Sequence, residues 1–547
     1  MKTLCWCVGL FSLLLAPALA DSDSQDQGSG DGKSGSQSAK QDYFTPQSVT
    51  SQGTVNVGGT VVDYQATAGT LVVHPKSWDD AAKSDNSDSS SGSKDNDQSS
   101  NPDAEASMFY VAYFKTGVAP GQRPVTFLYN GGPGSSTVWL HMGAFGPKRV
   151  VTLDDTHTPA APYSLINNSY SLLDASDLVF IDAPGTGFGR IEGKDKDKSF
   201  YGVDPDAYAF SDFITQFLTK YNRWNSPKYL FGESYGTPRS AVLINELEND
   251  RSIDFNGVIM LSQILNFDLS PDQPELNPGI DLPYVIALPT YAATAWYHNK
   301  LPGTRPQDLP TFLHQVETWS SNDYLLALEA GASLDDAKRA AVAAKLHQYT
   351  GLPVSYILKA DLRIDGGEFE KNLQDDNGLT TGRLDTRFSG PSLDELSKEA
   401  DYDPQSAAIS SAYVSSFNDY VRSQLKYTAN MEYKPDIDVD DWDFTHQPPN
   451  ATEPQQGTVN VMPDLADAMK YNPDLKVMLN GGYFDLATPY YEGWYEMHHL
   501  VIPAKLQANI EYHYYQSGHM VYAHEPALKE LHDNVASFIR RTDNLSK

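Results

Sequence analysis

Five short runs constrain this chain more than any other feature. Val125–Tyr129, Leu178–Ile181, Tyr229–Phe231, Val258–Leu261 and Lys476–Leu479 are compact and mostly apolar, and each is followed by Asn, Asp, Gly or Ser. A strand that is apolar on both sides has to be buried on both sides, and a parallel sheet with helices on each face meets that demand. Between the runs, apolar residues recur at helical spacing. The expected fold class is therefore α/β, a doubly wound, mostly parallel sheet. Ile510–Tyr515 reads as a last strand. About Glu525–Arg541 reads as a closing helix, with Leu528, Leu531, Val535, Phe538 and Ile539 on one face. Ahead of the five runs, Thr54–Tyr64, Ala68–Val73 and Ser107–Phe114 read as further strands.

One interruption is long. From about Leu282 to Leu425 the helical period dominates. Pro310–Ala330 carries Leu313, Val316, Leu325 and Leu328, and Ser333-Leu334-Asp335-Asp336 resembles a capping box opening a second helix to about Gln348. Residues 285–425 are expected to form a helical cap inserted into the sheet domain, whose two parts are then 42–284 and 426–547. A separately folded domain is the alternative.

The start of the chain has a different character. Lys2, the apolar run Leu4–Leu15 and Ala18-Leu19-Ala20 before polar residues have the form of a secretory signal peptide, 1–20. An N-terminal anchor helix is the other reading. Residues 21–41 are a Ser/Gly/Asp/Gln-rich leader, and 83–106 a Ser/Asp/Asn-rich acidic loop between strands; both are expected to be flexible. Gly32-Lys33-Ser34 looks like the end of a phosphate loop, but the glycine that motif needs five residues earlier is Gln27. The two cysteines, Cys5 and Cys7, fall inside the signal. Cleavage after Ala20 leaves no cysteine for a disulfide, a thiolate nucleophile or a metal ligand. No later segment approaches 18 consecutive apolar residues, so no membrane-spanning helix is expected. With 40 Lys+Arg against 71 Asp+Glu, the net charge of −31 argues against nucleic acid and anionic membranes as partners. The expected location is secreted or periplasmic. No metal or other cofactor is implied, and the oligomeric state is not readable.

The sharpest local signal is Tyr229-Leu230-Phe231-Gly232-Glu233-Ser234-Tyr235-Gly236, a strand entering G-x-S-x-G and then the helical pattern Thr237–Leu247. This is the form of the nucleophile elbow of α/β hydrolases, where glycines let a serine oxygen project from the sheet edge. A serine hydroxyl needs a base, and this fold supplies its partners in the order Ser, acid, His. Two later strand ends provide them. Lys476–Leu479 runs into Asn480-Gly481-Gly482-Tyr483-Phe484-Asp485, and Ile510–Tyr515 into Gln516-Ser517-Gly518-His519-Met520. Asp485 is expected to orient His519, and His519 to take the proton of Ser234. His513 lies inside a strand, His524 abuts the last helix, and His498-His499 do not share a helix face. Asp182 follows a strand but precedes the serine. Asn130-Gly131-Gly132-Pro133-Gly134-Ser135-Ser136 follows Val125–Tyr129, and its bare backbone suits an oxyanion cradle. The N–H groups of Gly132 and Tyr235 are the expected donors. Read singly, each motif is also the composition of an ordinary turn.

Together, N-G-G-P-G-S-S, G-E-S-Y-G, N-G-G-Y-F-D and S-G-H-M resemble the serine carboxypeptidase family, the S10 peptidases. Asp182-Ala183-Pro184-Gly185-Thr186-Gly187-Phe188 resembles a fifth family segment, one residue short. The likeness runs in family order from about Tyr110 to Arg541. It implies an α/β-hydrolase fold, a Ser234, Asp485, His519 triad, an oxyanion hole at Gly132 and Tyr235, and a peptide substrate with a free C-terminus. Asn130, Gly131, Glu233 and Met520 would be substrate-binding, with Asn130 and Glu233 on the terminal carboxylate. Glu233 has to be protonated for that, since two carboxylates repel. The chain departs from the pattern at three places. The family's Trp before the motif is Leu128. The acid usual before L-G-P is missing from Met142-Gly143-Ala144-Phe145-Gly146-Pro147. A cysteine is replaced by Ser135. The absence of disulfides suggests a bacterial secreted or periplasmic type. An esterase or acyltransferase on the same triad is the competing reading, and a binding protein that keeps only the fold is the third.

Overall fold

A computed structural model of the chain describes residues 43–76, 78 and 104–545. The expected signal peptide and leader, and the acidic loop as far as residue 103, lie outside the described residues.

The centre is a ten-stranded sheet. Its main strands are β1 Ser48–Val57, β2 Thr60–Val73, β3 Glu105–Lys115, β4 Val125–Tyr129, β5 Asp177–Ile181, β6 Lys228–Glu233, β7 Gly257–Leu261, β8 Lys476–Gly482 and β9 Ile510–Tyr515. They lie side by side as β1-β2-β3-β5-β4-β6-β7-β8-β9, and Arg190–Glu192 adds a short strand beside β3. The pairs from β1 through to β5 are antiparallel. From β5 onward every pair is parallel. This is the α/β-hydrolase fold expected from the sequence.

The longer helices are α1 Val203–Lys220, α2 Gly236–Asn249, α3 Leu282–Tyr297, α4 Leu309–Trp319, α5 Asp336–Thr350, α6 Pro404–Ser423, α7 Met462–Tyr471, α8 Tyr490–His498 and α9 Glu525–Thr542. The apolar runs alternate between two cores, which is why they are apolar throughout. Tyr229, Phe231, Ile259 and Leu261 face the cluster that holds Tyr413, Phe417 and Tyr420 of α6 and Leu528, Val535 and Phe538 of α9. Leu230, Val258 and Met260 face the cluster that holds Phe210 and Phe213 of α1, Leu243 and Leu247 of α2 and Leu465 of α7. A third cluster joins α3, α4 and α5 through Leu288, Tyr291, Leu313, Val316 and Leu346, and takes in Phe484, Tyr490 and Tyr491. The inserted helices therefore rest on the chain that follows β8. The aromatic stripe of α6 instead packs on the sheet.

Two local expectations shift. Thr54–Tyr64 is not one strand: Gly58 and Gly59, at φ +55° and +88°, turn the chain between Val57 and Thr60. Two left-handed residues give the hairpin turn that matches strand twist. The helix expected to be capped at Ser333 is capped by Asp335, whose carboxylate accepts the Lys338 N–H at 2.9 Å, while Ser333 ends a 3-10 turn. Asp caps as well as Ser, and the later start leaves Asp336 in the first turn, where negative charge is favoured. Among the described residues, no helix is long and apolar enough to cross a membrane.

Candidate active site

The sheet brings the candidate residues to one edge because neighbouring parallel strands end at the same level. Tyr129 is paired with Gly232, Leu261 with both Glu233 and Asn480, and Gly482 with Tyr515. The glycine loop, the elbow, the Asp485 loop and the His519 loop all leave these carboxyl ends.

At the elbow, Ser234 has φ +59°, a left-handed conformation that costs a non-glycine residue about 1–2 kcal/mol. Hydrogen bonds hold it there. The Ser234 N–H donates to Leu261 O at 3.0 Å, and the Thr237 N–H donates to Ser234 O at 2.8 Å. The Thr237 hydroxyl donates to the same carbonyl at 2.8 Å. The chain doubles back so tightly that a Cβ on Gly232 would lie 2.1 Å from Gly236 O. The serine is followed directly by α2, whose N-terminus directs positive partial charge at the elbow.

His519 is buried, and its Nδ1–H donates to Asp485 Oδ2 at 2.8 Å. That bond leaves Nε2 with its lone pair, the form a base requires. Asp485 is fully buried and is held by the N–H groups of Ala487 and Thr488, each at 3.0 Å, and by the Thr488 hydroxyl at 2.8 Å. The His519 backbone is clamped from two sides. Its N–H donates to Leu384 O at 2.6 Å, and its carbonyl accepts the Ser262 hydroxyl at 2.7 Å. Burial alone would lower the imidazole pKa, but the charge and hydrogen bond of Asp485 raise it above the ordinary value, with a further contribution from Glu233. Glu233 precedes Ser234 directly, so His519 lies within electrostatic reach of the elbow.

The glycine loop presses against the elbow. A Cβ on Gly131 would lie 2.3 Å from the Tyr235 nitrogen, so only glycine fits. Gly132 is exposed, and among the described residues neither its N–H nor that of Tyr235 donates to another backbone carbonyl. Arg239, in the second turn of α2, fastens the loop from behind. Its Nη1 donates to Asn130 O at 2.7 Å while its Nε donates to Asp206 Oδ2 at 2.5 Å, and both side chains of the ion pair are fully buried.

Glu233 is buried, 2% exposed. Burial pushes its carboxyl up to about 7, against the lowering effects of the His519 charge, Tyr522 and Asn130. The Tyr522 hydroxyl donates to both carboxylate oxygens, at 2.9 and 3.1 Å. The Asn130 side-chain oxygen accepts the Leu140 N–H at 3.0 Å, which orients its amide. Met520 is buried in the core cluster beside this group. Sequence reasoning missed Tyr522, which carries no motif, and Thr488, whose D-x-x-T spacing from Asp485 is a readable side-chain cap. The competitors lie elsewhere. Asp182 accepts the Thr137 N–H at 2.8 Å, His513 faces Glu511 at 3.4 Å, and His524 bonds Gln516 O at 3.0 Å.

Residues 98–269 match the family model for serine carboxypeptidases. Over this segment the chain is similar to the serine carboxypeptidase family. The glycine loop and the elbow lie within it; Asp485 and His519 lie beyond it. The chain is 28% identical over 177 residues to serine carboxypeptidase-like 36 of Arabidopsis thaliana, covering 30% of this chain and 34% of that one. It is 30% identical over 141 residues to a pheromone-processing carboxypeptidase of Phytophthora infestans, covering 23% of this chain and 21% of that one. The matched part thus spans about a third or less of these carboxypeptidases. The bacterial type suggested by the missing cysteines has no support from either match. Among solved structures, the proline iminopeptidase of Mycobacterium smegmatis overlaps 91% of this chain and 100% of its own, at 12% identity and a TM-score of 0.34. A likeness at that level specifies neither reaction nor substrate.

Proposed function

We propose that this protein is a secreted serine carboxypeptidase that releases C-terminal residues from peptides through an acyl-enzyme. The observation that carries the reading is the buried 2.8 Å bond from His519 Nδ1 to Asp485 at the same sheet edge as the strained Ser234 elbow. His519 Nε2 takes the Ser234 proton as Oγ attacks the scissile carbonyl carbon. The oxyanion is received by the N–H groups of Gly132 and Tyr235. His519 returns the proton to the leaving amine, the C–N bond breaks, and water, activated by the same imidazole, hydrolyses the Ser234 ester. Asn130, Gly131 and protonated Glu233 hold the carboxylate of the departing residue.

The test compares a blocked dipeptide with a free C-terminus, its amide and a simple aryl ester. A carboxypeptidase cleaves the first and loses activity on the second. Turnover of the ester with no cleavage of either peptide would convert the reading to an esterase or acyltransferase. A sulfonyl fluoride label is expected on Ser234 and absent from Ser234→Ala; a label elsewhere overturns the site.

A further inference from the structure

The family's pattern has an acid directly before its L-G-P, a place held here by Ala144, where it would share a proton with Glu233. Ala144 is fully buried, and phenols crowd the residue before it. A Cβ on Gly143 would lie 2.7 Å from the Tyr522 ring and 2.6 Å from the Tyr413 hydroxyl. Tyr522 sits in the short turn Val521–Ala523 that follows His519, so the segment that carries the base also delivers the phenol. Its hydroxyl bridges both oxygens of Glu233, and both side chains are sealed from solvent.

We infer that Tyr522 is a positioning residue that replaces the second acid, orienting Glu233 and setting the pH at which its grip on a substrate carboxylate is released. The inference rests on the carboxylate-binding role proposed for Glu233. Two carboxyl groups that share a proton separate once both ionise. A phenol behaves differently. Burial and the Glu233 charge keep Tyr522 protonated far above neutrality, so it donates in every protonation state of Glu233. The grip then depends on one proton only. The groups that face Glu233 are His519 and Asp485 across the site, Asn130 from the glycine loop, Tyr522, and Tyr413 from α6. Of these, Tyr522 is the one that donates to both carboxylate oxygens. A donor to a carboxylate favours the ionised form, so its removal makes Glu233 harder to ionise.

The experiment measures kcat/KM against pH for wild type and Tyr522→Phe, with the free-acid dipeptide, its amide and the aryl ester. Rates are normalised to the fraction of enzyme titrated by an aryl sulfonyl fluoride, so unfolded protein does not count. In Tyr522→Phe the alkaline midpoint on the free acid should move up by about one pH unit, roughly tenfold in the Glu233 acid constant. The ester should show no such displacement. Replacing Tyr522 by 3-fluorotyrosine, a stronger donor of nearly the same size, should move the midpoint down, and it serves if the Phe variant does not fold. If wild type itself does not prefer the free acid to the amide, the carboxylate reading and this inference fall together. If wild type shows that preference but the midpoint stays fixed, or moves equally for acid and ester, the Tyr522 assignment alone is overturned.

Discussion

Arg239→Met isolates what the buried ion pair does. The guanidinium and the Asp206 carboxylate are both fully buried, 2.5 Å apart, and the guanidinium lies 4.4 Å over the Phe210 ring. Burial raises the Asp206 pKa, and only Arg239 offsets it. Removing one partner leaves an uncompensated buried charge, a loss of about 3–5 kcal/mol. The Asn130 carbonyl also loses a 2.7 Å charged donor, worth about 1–3 kcal/mol. The double variant Arg239→Met/Asp206→Leu removes both charges and keeps apolar volume, so most of the stability should return, to within about 2 kcal/mol of wild type. Activity should not return, because the tether to the glycine loop is still missing. A one-ångström shift of the Gly132 N–H is enough to cost about tenfold or more in kcat/KM. Urea unfolding followed by tryptophan fluorescence gives the stabilities, and ester hydrolysis gives the rates. A single variant that loses less than about 1 kcal/mol, or a double variant with full activity, would refute the argument.

Further predictions follow from the same geometry. Asp485→Asn keeps the acceptor for Ala487 and Thr488 but offers Nδ2–H to His519 and disfavours the productive tautomer; kcat should fall on the order of 10⁴-fold with unfolding unchanged, and a loss below about tenfold removes Asp485 from the triad. Gly131→Ala drives a methyl to 2.3 Å from the Tyr235 nitrogen, so labelling of Ser234 and turnover should both collapse; a normal labelling rate would show that the loop does not press on the elbow. On free-acid peptides the rate needs neutral His519 and protonated Glu233. It therefore rises as the raised His519 pKa is passed and falls through the Glu233 value of about 7, an alkaline limb that the ester should lack; a free-acid profile still climbing above about pH 8 excludes Glu233 from carboxylate binding. Burial alone would lower the His446 pKa, but its bonds to Asp204 and Asp464, at 2.6 and 2.8 Å, raise it from 6.5 to about 9. The stability it adds, on the order of 3 kcal/mol, is complete below pH 6.5 and is lost as pH rises through 9. His446→Gln should flatten that part of the urea midpoint against pH, and an unchanged slope would refute it.

The strands β4 and β9 begin and end where the sequence sets them, and β5, β6, β7 and β8 differ only in length. The inner strands β4 to β7 are mostly apolar on both faces, so burial on both faces is the one arrangement that suits them, and a parallel sheet follows. The elbow was legible for a similar reason. A serine between two glycines after a buried strand has few conformations open to it, and the observed φ of +59° is among them. Asp485 and His519 could be nominated because each follows a strand, in the order the fold requires. What could not be read were more distant supports: Arg239 with Asp206, and Tyr522. Their spacing in the chain carries no period, because their partners lie on other strands and helices. The expected single strand breaks where Gly58 and Gly59 turn the chain, and the cap moves from Ser333 to Asp335 because two capping side chains lie two residues apart.

The order of short apolar runs determined the sheet, and the glycines around Ser234 and Asn130 determined where backbone comes close to backbone. Both are local consequences of side-chain size and hydrophobicity. Only the tertiary structure decided which charges face each other in the dry interior. Glu233 meets Tyr522 rather than a second acid because α6 and the turn after His519 fill the space beside Gly143. Interactions of that kind depend on distance and burial, quantities that a linear order of residues does not contain.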